Sequence, residues 1–294
     1  KRTYHVLQNR TFLFATNTHN LFAWGAGNKT RKTPRRLTVK TDGRRPGHPA
    51  IDKNRLMLFS PSMHIRDVTI LSSKFPSAEI YPFLLPVFQH TKQLAFDTPV
   101  TLFAGENGSG KSTLLHAVAQ AYGIHIWQET GRTRCQNNPY EERLGQYVSV
   151  SWKDGKVPGS FFGADSFQHF RQILDEWSAA DPGQLSYFGG KSLMTQSHGE
   201  SIMSFFTARY AIRGLYLLDE PETALSPKTQ IRLLELLTKA SESGHAQFII
   251  ATHSPILLAC PGAVIYNFNA QPVGPIAYKD TEHYQIYKRF LDSR

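Results

Sequence analysis

The string GENGSGKST at residues 105–113 has the residue types and the spacing of a phosphate-binding loop. It fits the pattern G-x-x-x-x-G-K-[ST], follows an apolar run and opens a stretch with helical spacing. Glycines let backbone N–H groups and the helix N-terminus approach phosphate oxygens closely. Lys111 supplies a point charge for the β- and γ-phosphates, and the Ser112 hydroxyl is a ligand for Mg²⁺. The residues that we predict to contact a nucleotide here are Gly105, Asn107, Gly108, Ser109, Gly110, Lys111, Ser112 and Thr113.

Two adjacent carboxylates end the apolar run GLYLLDEP at 214–221. Ligands of open α/β sheets bind at the carboxyl ends of the strands, so this pair lies where it can contact a bound ligand. Asp219 is positioned to hold Mg²⁺, and Glu220 to orient or deprotonate an attacking water. Together with the phosphate loop, the pair predicts hydrolysis of a β–γ phosphoanhydride bond, in which Lys111 and Glu220 are catalytic.

A histidine and a serine are two further candidates. His253, in the string ATHSP, follows an apolar run and can donate a hydrogen bond to a γ-phosphate, so we predict a catalytic role. Ser197, in the string QSHGES, has two interpretations that stay open at this point. Ser197 and Glu200 fit a capping box, which is a structural role. The same helix N-terminus, with a hydroxyl and Gly199, is also an anion site that would bind the nucleotide.

These motifs require a sheet that brings their strand ends together, and the hydrophobic pattern predicts one. Apolar runs alternate with stretches of helical spacing, which is typical of an α/β domain with a mainly parallel sheet. Strands are predicted at 64–71, 93–96, 99–104, 147–152, 160–163, 215–218 and 247–251, and helices at 112–122, 167–177, 201–212 and 228–243. The turn residues Asp154 and Gly155 predict a hairpin between 147–152 and 160–163.

The first fifth of the chain differs from the rest in its charge. Residues 1–62 hold 13 Lys/Arg and 2 Asp/Glu, so they account for all of the excess in the net charge of +10. Charge repulsion and turn residues disfavour a packed unit there, and regular patterning begins at Met63. We predict that 1–62 is a basic extension, disordered or non-native, with an arm for nucleic acid or an anionic surface as the alternative. The remainder, 63–294, is nearly neutral, which gives no argument for DNA binding by the main domain.

Other features exclude several classes of protein. No run approaches the roughly 18 consecutive apolar residues that a membrane-spanning helix needs, so we expect no membrane insertion. Cys135 and Cys260 stand alone, which excludes a disulfide scaffold and a zinc module. Isolated cysteines are typical of a reducing compartment, and we expect a cytoplasmic location.

Four strings, in this order, make the sequence similar to a known family. GENGSGKST, QSHGES, LYLLDEPETALSP and IIATHSPILLA resemble the phosphate loop, signature, carboxylate pair with D-loop, and switch histidine of ABC-type ATPases of the SMC and RecF-like branch. Over 63–294 the sequence is particularly similar to small bacterial "predicted AAA-family ATPases". The resemblance implies a P-loop NTPase fold, with an ABC/SMC-type head and an N-terminal antiparallel β part. It also implies a head-to-tail homodimer, with ATP between the phosphate loop of one subunit and Ser197 and Gly199 of the other.

The sequence departs from the wider ABC pattern in two places. The signature reads Ser-His-Gly-Glu rather than Ser-Gly-Gly-Gln, which argues against a transport subunit. The lid glutamine has two candidates, Gln146 and Gln168, and stays unassigned, as does the adenine contact. Lys111 and Asp219 are 108 residues apart, too few for a long inserted coiled coil, so we predict a bare ATPase head.

Three functions compete on this sequence. We expect a Mg²⁺-dependent ATPase whose nucleotide-driven dimerisation acts as a switch for an effector protein. Relatives typically act in DNA repair or phage defence, and contact with nucleic acid stays open. The first alternative is the ATP-binding subunit of an ABC transporter, which needs a separate membrane partner. The second is a P-loop kinase, a class that does not require a signature serine and a switch histidine in this order.

Overall fold

The computed structural model describes residues 63–127, 138–153, 155–188 and 190–294 of the chain. The strands are β1 Ile65–Ile70, β2 Gln93–Ala95, β3 Val100–Ala104, β4 Val148–Trp152, β5 Gly159–Gly163, β6 Gly214–Asp219, β7 Ala246–Ala251, β8 Val264–Asn267 and β9 Gly274–Ile276. The helices are α1 Pro86–His90, α2 Lys111–Tyr122, α3 Ala164–Ala180, α4 His198–Arg209, α5 Pro227–Glu242, α6 Pro255–Leu258 and α7 Glu282–Asp292. The extension predicted at 1–62 lies outside the described residues, as does Cys135, and the domain boundary stays a prediction.

Two sheets form the frame of the described region. Five parallel strands, in the order β5-β6-β7-β3-β8, make up most of a six-stranded central sheet. The sixth strand, β9, joins the edge of this sheet antiparallel to β8. A smaller antiparallel sheet has the order β2-β1-β4. The predicted fold class, an α/β fold with a mainly parallel central sheet and an N-terminal antiparallel part, is therefore confirmed.

The central sheet is covered on both faces. Every residue of β3 and of β7 is buried. Leu102 of β3 packs in a cluster with α3, α4 and α5, whereas its neighbour Phe103 packs in a second cluster with α1, α2 and the small sheet. Successive side chains of a strand point to opposite faces, so a strand covered on both faces is apolar at most positions. β3 fits this pattern with the sequence VTLFA, in which the one polar residue, Thr101, is also buried.

The predicted hairpin between the fourth and fifth strands is wrong. β4 pairs antiparallel with β1 in the small sheet, whereas β5 pairs parallel with β6 in the central sheet. The adjacent residues Phe161 and Phe162 of β5 are buried in the two different apolar clusters. A two-stranded hairpin could not cover both of these side chains, so burial rather than the Gly155 turn decides the strand pairing.

The helix boundaries follow their capping residues. α2 stops at Gly123, as predicted: this residue is the C-cap of the helix and has a φ of +79°. α4 begins at His198, three residues before the predicted start, because Ser197 is its N-cap. Five elements were not predicted from the sequence: α1, α6, α7, β8 and β9.

A buried glutamine joins the two sheets. Gln247 of β7 has no exposed surface. Its Oε1 accepts hydrogen bonds from the N–H groups of His64 at 2.7 Å and Ile65 at 2.8 Å, and its Nε2 donates to the Ile65 carbonyl at 2.9 Å. Buried backbone groups need such partners, so Gln247 of the central sheet satisfies the backbone at the start of β1 in the small sheet.

We predict that Gln247→Met destabilises the protein by about 2–4 kcal/mol, because it removes three hydrogen bonds to buried backbone groups. The free energy of unfolding from urea denaturation measures this loss. Gln184→Met is the matched control, since the Gln184 side-chain amide donates to the Asp181 carboxylate at an exposed position. A loss no larger than that of the control would contradict the role of Gln247.

Candidate functional site

The phosphate loop connects β3 to α2, and its conformation depends on glycine. Gly105, Gly108 and Gly110 have φ angles of +154°, +78° and +99°. Residues with side chains rarely adopt these angles. A Cβ on Gly110 would lie 2.9 Å from Val87 Cγ1, and a Cβ on Gly105 would lie 2.9 Å from Asn269 Oδ1. Both positions therefore need glycine for conformation and for space.

The remaining predicted loop residues differ in exposure. Asn107 and Gly108 form the exposed tip of the loop. Ser109 Oγ is buried, and no group in the described part of the chain forms a hydrogen bond with it. Thr113 Oγ1 lies 3.0 Å from the hydroxyl of Tyr81, a contact that the sequence analysis missed. An unpaired buried hydroxyl such as that of Ser109 is unusual and calls for a partner that the chain itself does not supply.

Lys111 lies inside the loop, with 3% of its surface exposed. Its Nζ donates to the carbonyl oxygens of Gly105 at 2.7 Å and Glu106 at 2.8 Å. Burial lowers the pKa of Lys111, and the carboxylates of Glu220 and Asp219 oppose this effect. The chain thus holds an ammonium group at the centre of the glycine loop.

The two predicted magnesium ligands contact each other. β3 and β6 lie on either side of β7, and Phe103 and Asp219 are both level with Ala251 of that strand. Ser112 follows β3 by one loop, and its Oγ donates to Asp219 Oδ1 at 2.8 Å. Burial raises the pKa of Asp219, and the hydrogen bond from Ser112 partly opposes this effect. The net result is a pKa of about 6.

Glu220 has a left-handed backbone, with a φ of +44°, which no other non-glycine residue in the described ranges adopts. This conformation costs on the order of 1 kcal/mol and is frequent at functional sites. Its N–H donates to the Ala251 carbonyl at 2.9 Å. Glu220 Oε1 lies 3.5 Å from His253 Nε2, so the predicted base and the predicted switch histidine meet.

Two residues that the sequence analysis missed lie against this group. Glu222 Oε1 accepts a hydrogen bond from the His253 N–H at 2.5 Å, and burial raises the pKa of Glu222. His116 Nε2 lies 3.7 Å from Asp219 Oδ2, and burial lowers the pKa of His116. His116 follows Ser112 by four residues, and this spacing on a helix could have indicated it. The position of Glu222 depends on the loop after β6, which has no such periodicity.

Ser197 forms the capping box at the start of α4. Its Oγ accepts from the Glu200 N–H at 3.4 Å, and its own N–H donates to Glu200 Oε2 at 3.2 Å. Ser197 is exposed, and a Cβ on Gly199 would meet only the Ala224 carbonyl, at 3.9 Å. Within the described ranges, no hydrogen bond or ion pair joins Ser197 or Gly199 to the phosphate loop. The structural role of Ser197 is present, and its contact with a nucleotide stays a prediction.

Arg171 of α3 supports the segment that leads into α4. Its guanidinium is buried and donates to the Leu193 carbonyl at 3.1 Å and 2.7 Å. Nη1 donates to Gln168 Oε1 at 3.1 Å and lies 3.2 Å from His198 Nδ1. Gln168, one of the two lid candidates, therefore contacts Arg171, and the lid role stays unassigned between it and Gln146.

Two protein families match parts of this chain. The family described as "AAA domain, putative AbiEii toxin, Type IV TA system" matches residues 194–259, and a family described as "AAA domain" matches residues 85–142. Every predicted site residue lies within one of these two ranges.

The chain is similar to curated proteins whose names refer to transport or export. ABC transporter I family member 1 of Arabidopsis thaliana is 28% identical over 180 residues, which cover 58% of this chain and 76% of the relative. The macrolide export ATP-binding/permease protein MacB of Campylobacter jejuni is 29% identical over 187 residues. That match covers 55% of this chain and 27% of MacB, so the chain spans about a quarter of the second relative.

Two solved structures are also similar to parts of this chain. The SMC head domain from Thermotoga maritima is 16% identical, with a TM-score of 0.40, and the match covers 73% of this chain and all of that domain. The cbiO1 protein of Clostridium perfringens, part of an ABC transporter complex, is 16% identical with a TM-score of 0.46. That match covers 78% of this chain and 96% of cbiO1.

The glycine loop with its buried lysine, the carboxylate pair and the two AAA-domain matches define the class of this protein. These features indicate an ATPase of the AAA and ABC type. The recognition of this class from the four sequence strings is confirmed.

The described residues lack two features. No helix there combines the length and the apolar character needed to cross a lipid bilayer. No cluster of three His, Cys, Asp or Glu side chains is arranged there to hold a metal ion. The predicted magnesium ligands are one hydroxyl and one carboxylate, so they include only one side chain of these types.

The raised pKa of Asp219 predicts an effect on stability without nucleotide or Mg²⁺. As the pH rises from about 4 to 6, the unfolded chain loses this proton before the folded chain does, so stability falls. Asp219→Asn should therefore raise the free energy of unfolding at pH 7.5 by about 2 kcal/mol, and the gain should vanish near pH 4.

Urea denaturation of both proteins at the two pH values tests this prediction. Asp97→Asn, at an exposed site, is the matched control and should change stability by less than about 0.5 kcal/mol. A loss of stability at pH 7.5 in Asp219→Asn would be the contrary result.

Proposed function

We propose that this ATPase is Mg²⁺-dependent and that two copies close on ATP, which makes their closure a switch for an effector protein. One observation carries the proposal: three strand ends bring together one cation, a hydroxyl–carboxylate pair and a carboxylate–histidine pair. These residues are Lys111, Ser112 with Asp219, and Glu220 with His253. Each group matches one requirement of phosphoryl transfer to water.

The residues of the site fit a triphosphate substrate with its metal. Gly105 and Gly110 allow a close approach of the loop backbone, and the buried Ser109 hydroxyl has no partner within the described residues. The Ser112 hydroxyl and the Asp219 carboxylate are hard oxygen donors, which Mg²⁺ prefers. When bound, Mg²⁺ neutralises negative charge that develops on the phosphate oxygens. We assign these two residues to the metal.

The other residues of the site act on the phosphates and the water. The Lys111 ammonium binds the β- and γ-phosphates, where its charge opposes theirs. The Glu220 carboxylate orients the attacking water and accepts its proton as a general base. His253 donates a hydrogen bond from Nε2 toward the γ-phosphate and so reports that it is present. The short distance between Glu220 and His253, 3.5 Å, supports this division of roles.

In this proposal the partner copy completes the site. Ser197 and Gly199 open α4 at the surface, and the N-terminus of a helix favours an anion. Neither residue bonds to the phosphate loop of its own chain within the described ranges. A C₂ dimer with head-to-tail active sites gives each ATP the loop of one copy and the α4 N-terminus of the other.

We predict that two inactive variants restore activity to each other when mixed. Lys111→Ala removes the phosphate contact, and Ser197→Arg blocks the α4 N-terminus. Random pairing places one complete site in half of the dimers, so an equal mixture should recover about a quarter of the wild-type ATPase rate.

The double variant Lys111→Ala/Ser197→Arg is the matched control, because mixing it with either single variant cannot restore a site. If the mixture of single variants stays as inactive as this control, each site is built from one chain and the sandwich is wrong.

We further predict that Glu220→Gln binds ATP but hydrolyses it about 10²–10⁴-fold more slowly, since the general base is lost. With ATP and Mg²⁺, this variant should elute from gel filtration as a dimer. Glu235→Gln, at an exposed position of α5, is the matched control and should keep wild-type activity. A monomer in the presence of ATP would contradict the dimer switch.

The ATP-binding subunit of a transporter is a second candidate, and the names of the curated relatives favour it. The signature Ser-His-Gly-Glu favours the switch. Recovery of the full chain in a complex with a permease would support the transporter. A role in DNA repair or phage defence needs an identified effector, and the nearly neutral charge of 63–294 gives it no support.

A further inference from the structure

The first turn of α7 contacts the switch histidine directly and is linked to the phosphate loop through Asn269. Thr281 is buried and caps the helix through its side chain, which accepts from the Tyr284 N–H. His283 is partly buried, whereas all residues from Gln285 onward are exposed. The helix is therefore held mainly by its first turn, which is the part that faces the site.

The principal contact joins two histidine rings. His283 Nε2 lies 3.2 Å from His253 Nδ1, which is a hydrogen bond between two imidazoles. Burial lowers the pKa of both histidines, which favours the neutral rings. A neutral imidazole has one N–H and one lone pair, so one ring donates and the other accepts.

The surroundings of His253 decide which ring donates. Its other nitrogen, Nε2, lies 3.5 Å from Glu220 Oε1. If His253 donated from Nδ1, its Nε2 would present a lone pair to a carboxylate oxygen, and the two would repel each other. If His283 donates from Nε2, His253 keeps its proton on Nε2, where it faces Glu220.

A second chain of hydrogen bonds starts at the preceding residue. Glu282 Oε2 accepts from Asn269 Nδ2 at 3.2 Å, and Asn269 Oδ1 accepts from the Glu106 N–H at 2.8 Å. Glu106 belongs to the phosphate loop. Adjacent residues of α7 thus reach the phosphate loop and the switch histidine.

We propose that His283 is a positioning residue for ATP hydrolysis: it donates from Nε2 to Nδ1 of His253 and so holds the proton of His253 on Nε2, toward the reacting end of the substrate. This inference rests on the role proposed for His253. His283 acts through His253, so its loss affects the chemical step more than the binding of ATP. Partners that fix the tautomer of a functional histidine typically contribute about 10- to 100-fold when they orient a metal ligand, and we expect a similar size here.

Nuclear magnetic resonance of the nucleotide-free full chain with ¹⁵N-labelled histidine tests the tautomer directly. In the wild type, long-range ¹H–¹⁵N couplings should identify His253 as the Nε2–H form, with its signals assigned from the His253→Gln spectrum. In His283→Phe, His253 should become a mixture of both tautomers. A wild-type His253 protonated on Nδ1 overturns the proposal, and this result needs no variant of His283.

Steady-state kinetics supply the second test. His283→Phe should lower kcat about 10- to 100-fold and leave KM for ATP within about twofold. His283→Gln, whose amide can donate from nearly the same place as Nε2, should restore most of the lost kcat. Tyr287→Ala, an exposed change on the same helix, should keep the wild-type rate. Equal rates for His283→Gln and His283→Phe, or a wild-type rate for His283→Phe, overturn the donor role.

The two tests separate this inference from the proposed function. If the wild type hydrolyses ATP and Glu220→Gln does not, a normal rate in His283→Phe rejects only the role of His283. If Glu220→Gln hydrolyses ATP normally, the proposed function fails, and the tautomer spectrum still reports on the pair of histidines.

Discussion

The parallel pairing of β3 and β6 with β7 between them is the constraint on which the ATP site depends. Phe103 and Asp219 are level with the same residue, Ala251, so the three segments that follow these strands begin side by side. A shift of one residue would turn each strand's side chains to the opposite face. Because both faces are packed against helices, the apolar clusters fix the register, and the register places the polar groups.

The site itself opposes folding. Lys111 is buried, the carboxyls of Asp219 and Glu222 have raised pKa values, and Glu220 has a left-handed backbone. Each of these features is less favourable than the same residue in an unfolded chain. The packing on both faces of the sheet offsets them. In such a site the charged and polar groups are already in position before the ligand binds. Fewer groups then have to rearrange when triphosphate binds.

The sequence predicted those parts of the site that depend on local patterns. Apolar runs covered on both faces indicated β3, β6 and β7, and the polar residues just after them could be assigned from spacing alone. The fifth strand was misjudged because the turn signal of Gly155 is local, whereas the choice of partner strand depends on burial across the domain. His283 and Arg171 were missed for the same reason. Their contacts at the site join residues about 30 positions apart, which no periodicity shows.

The capping box of Ser197 and its proposed contact with ATP use the same physical feature. The Ser197 hydroxyl and N–H bind the Glu200 carboxylate, an anion at the N-terminus of α4. Hydrogen bonds from Ser197 lower the pKa of Glu200, so this carboxylate is held in its charged form. In the proposed dimer, a γ-phosphate would exchange one anion for another at the same donors. The helix would therefore stay capped in either state, and a serine at this position would serve the free subunit as well as the closed one.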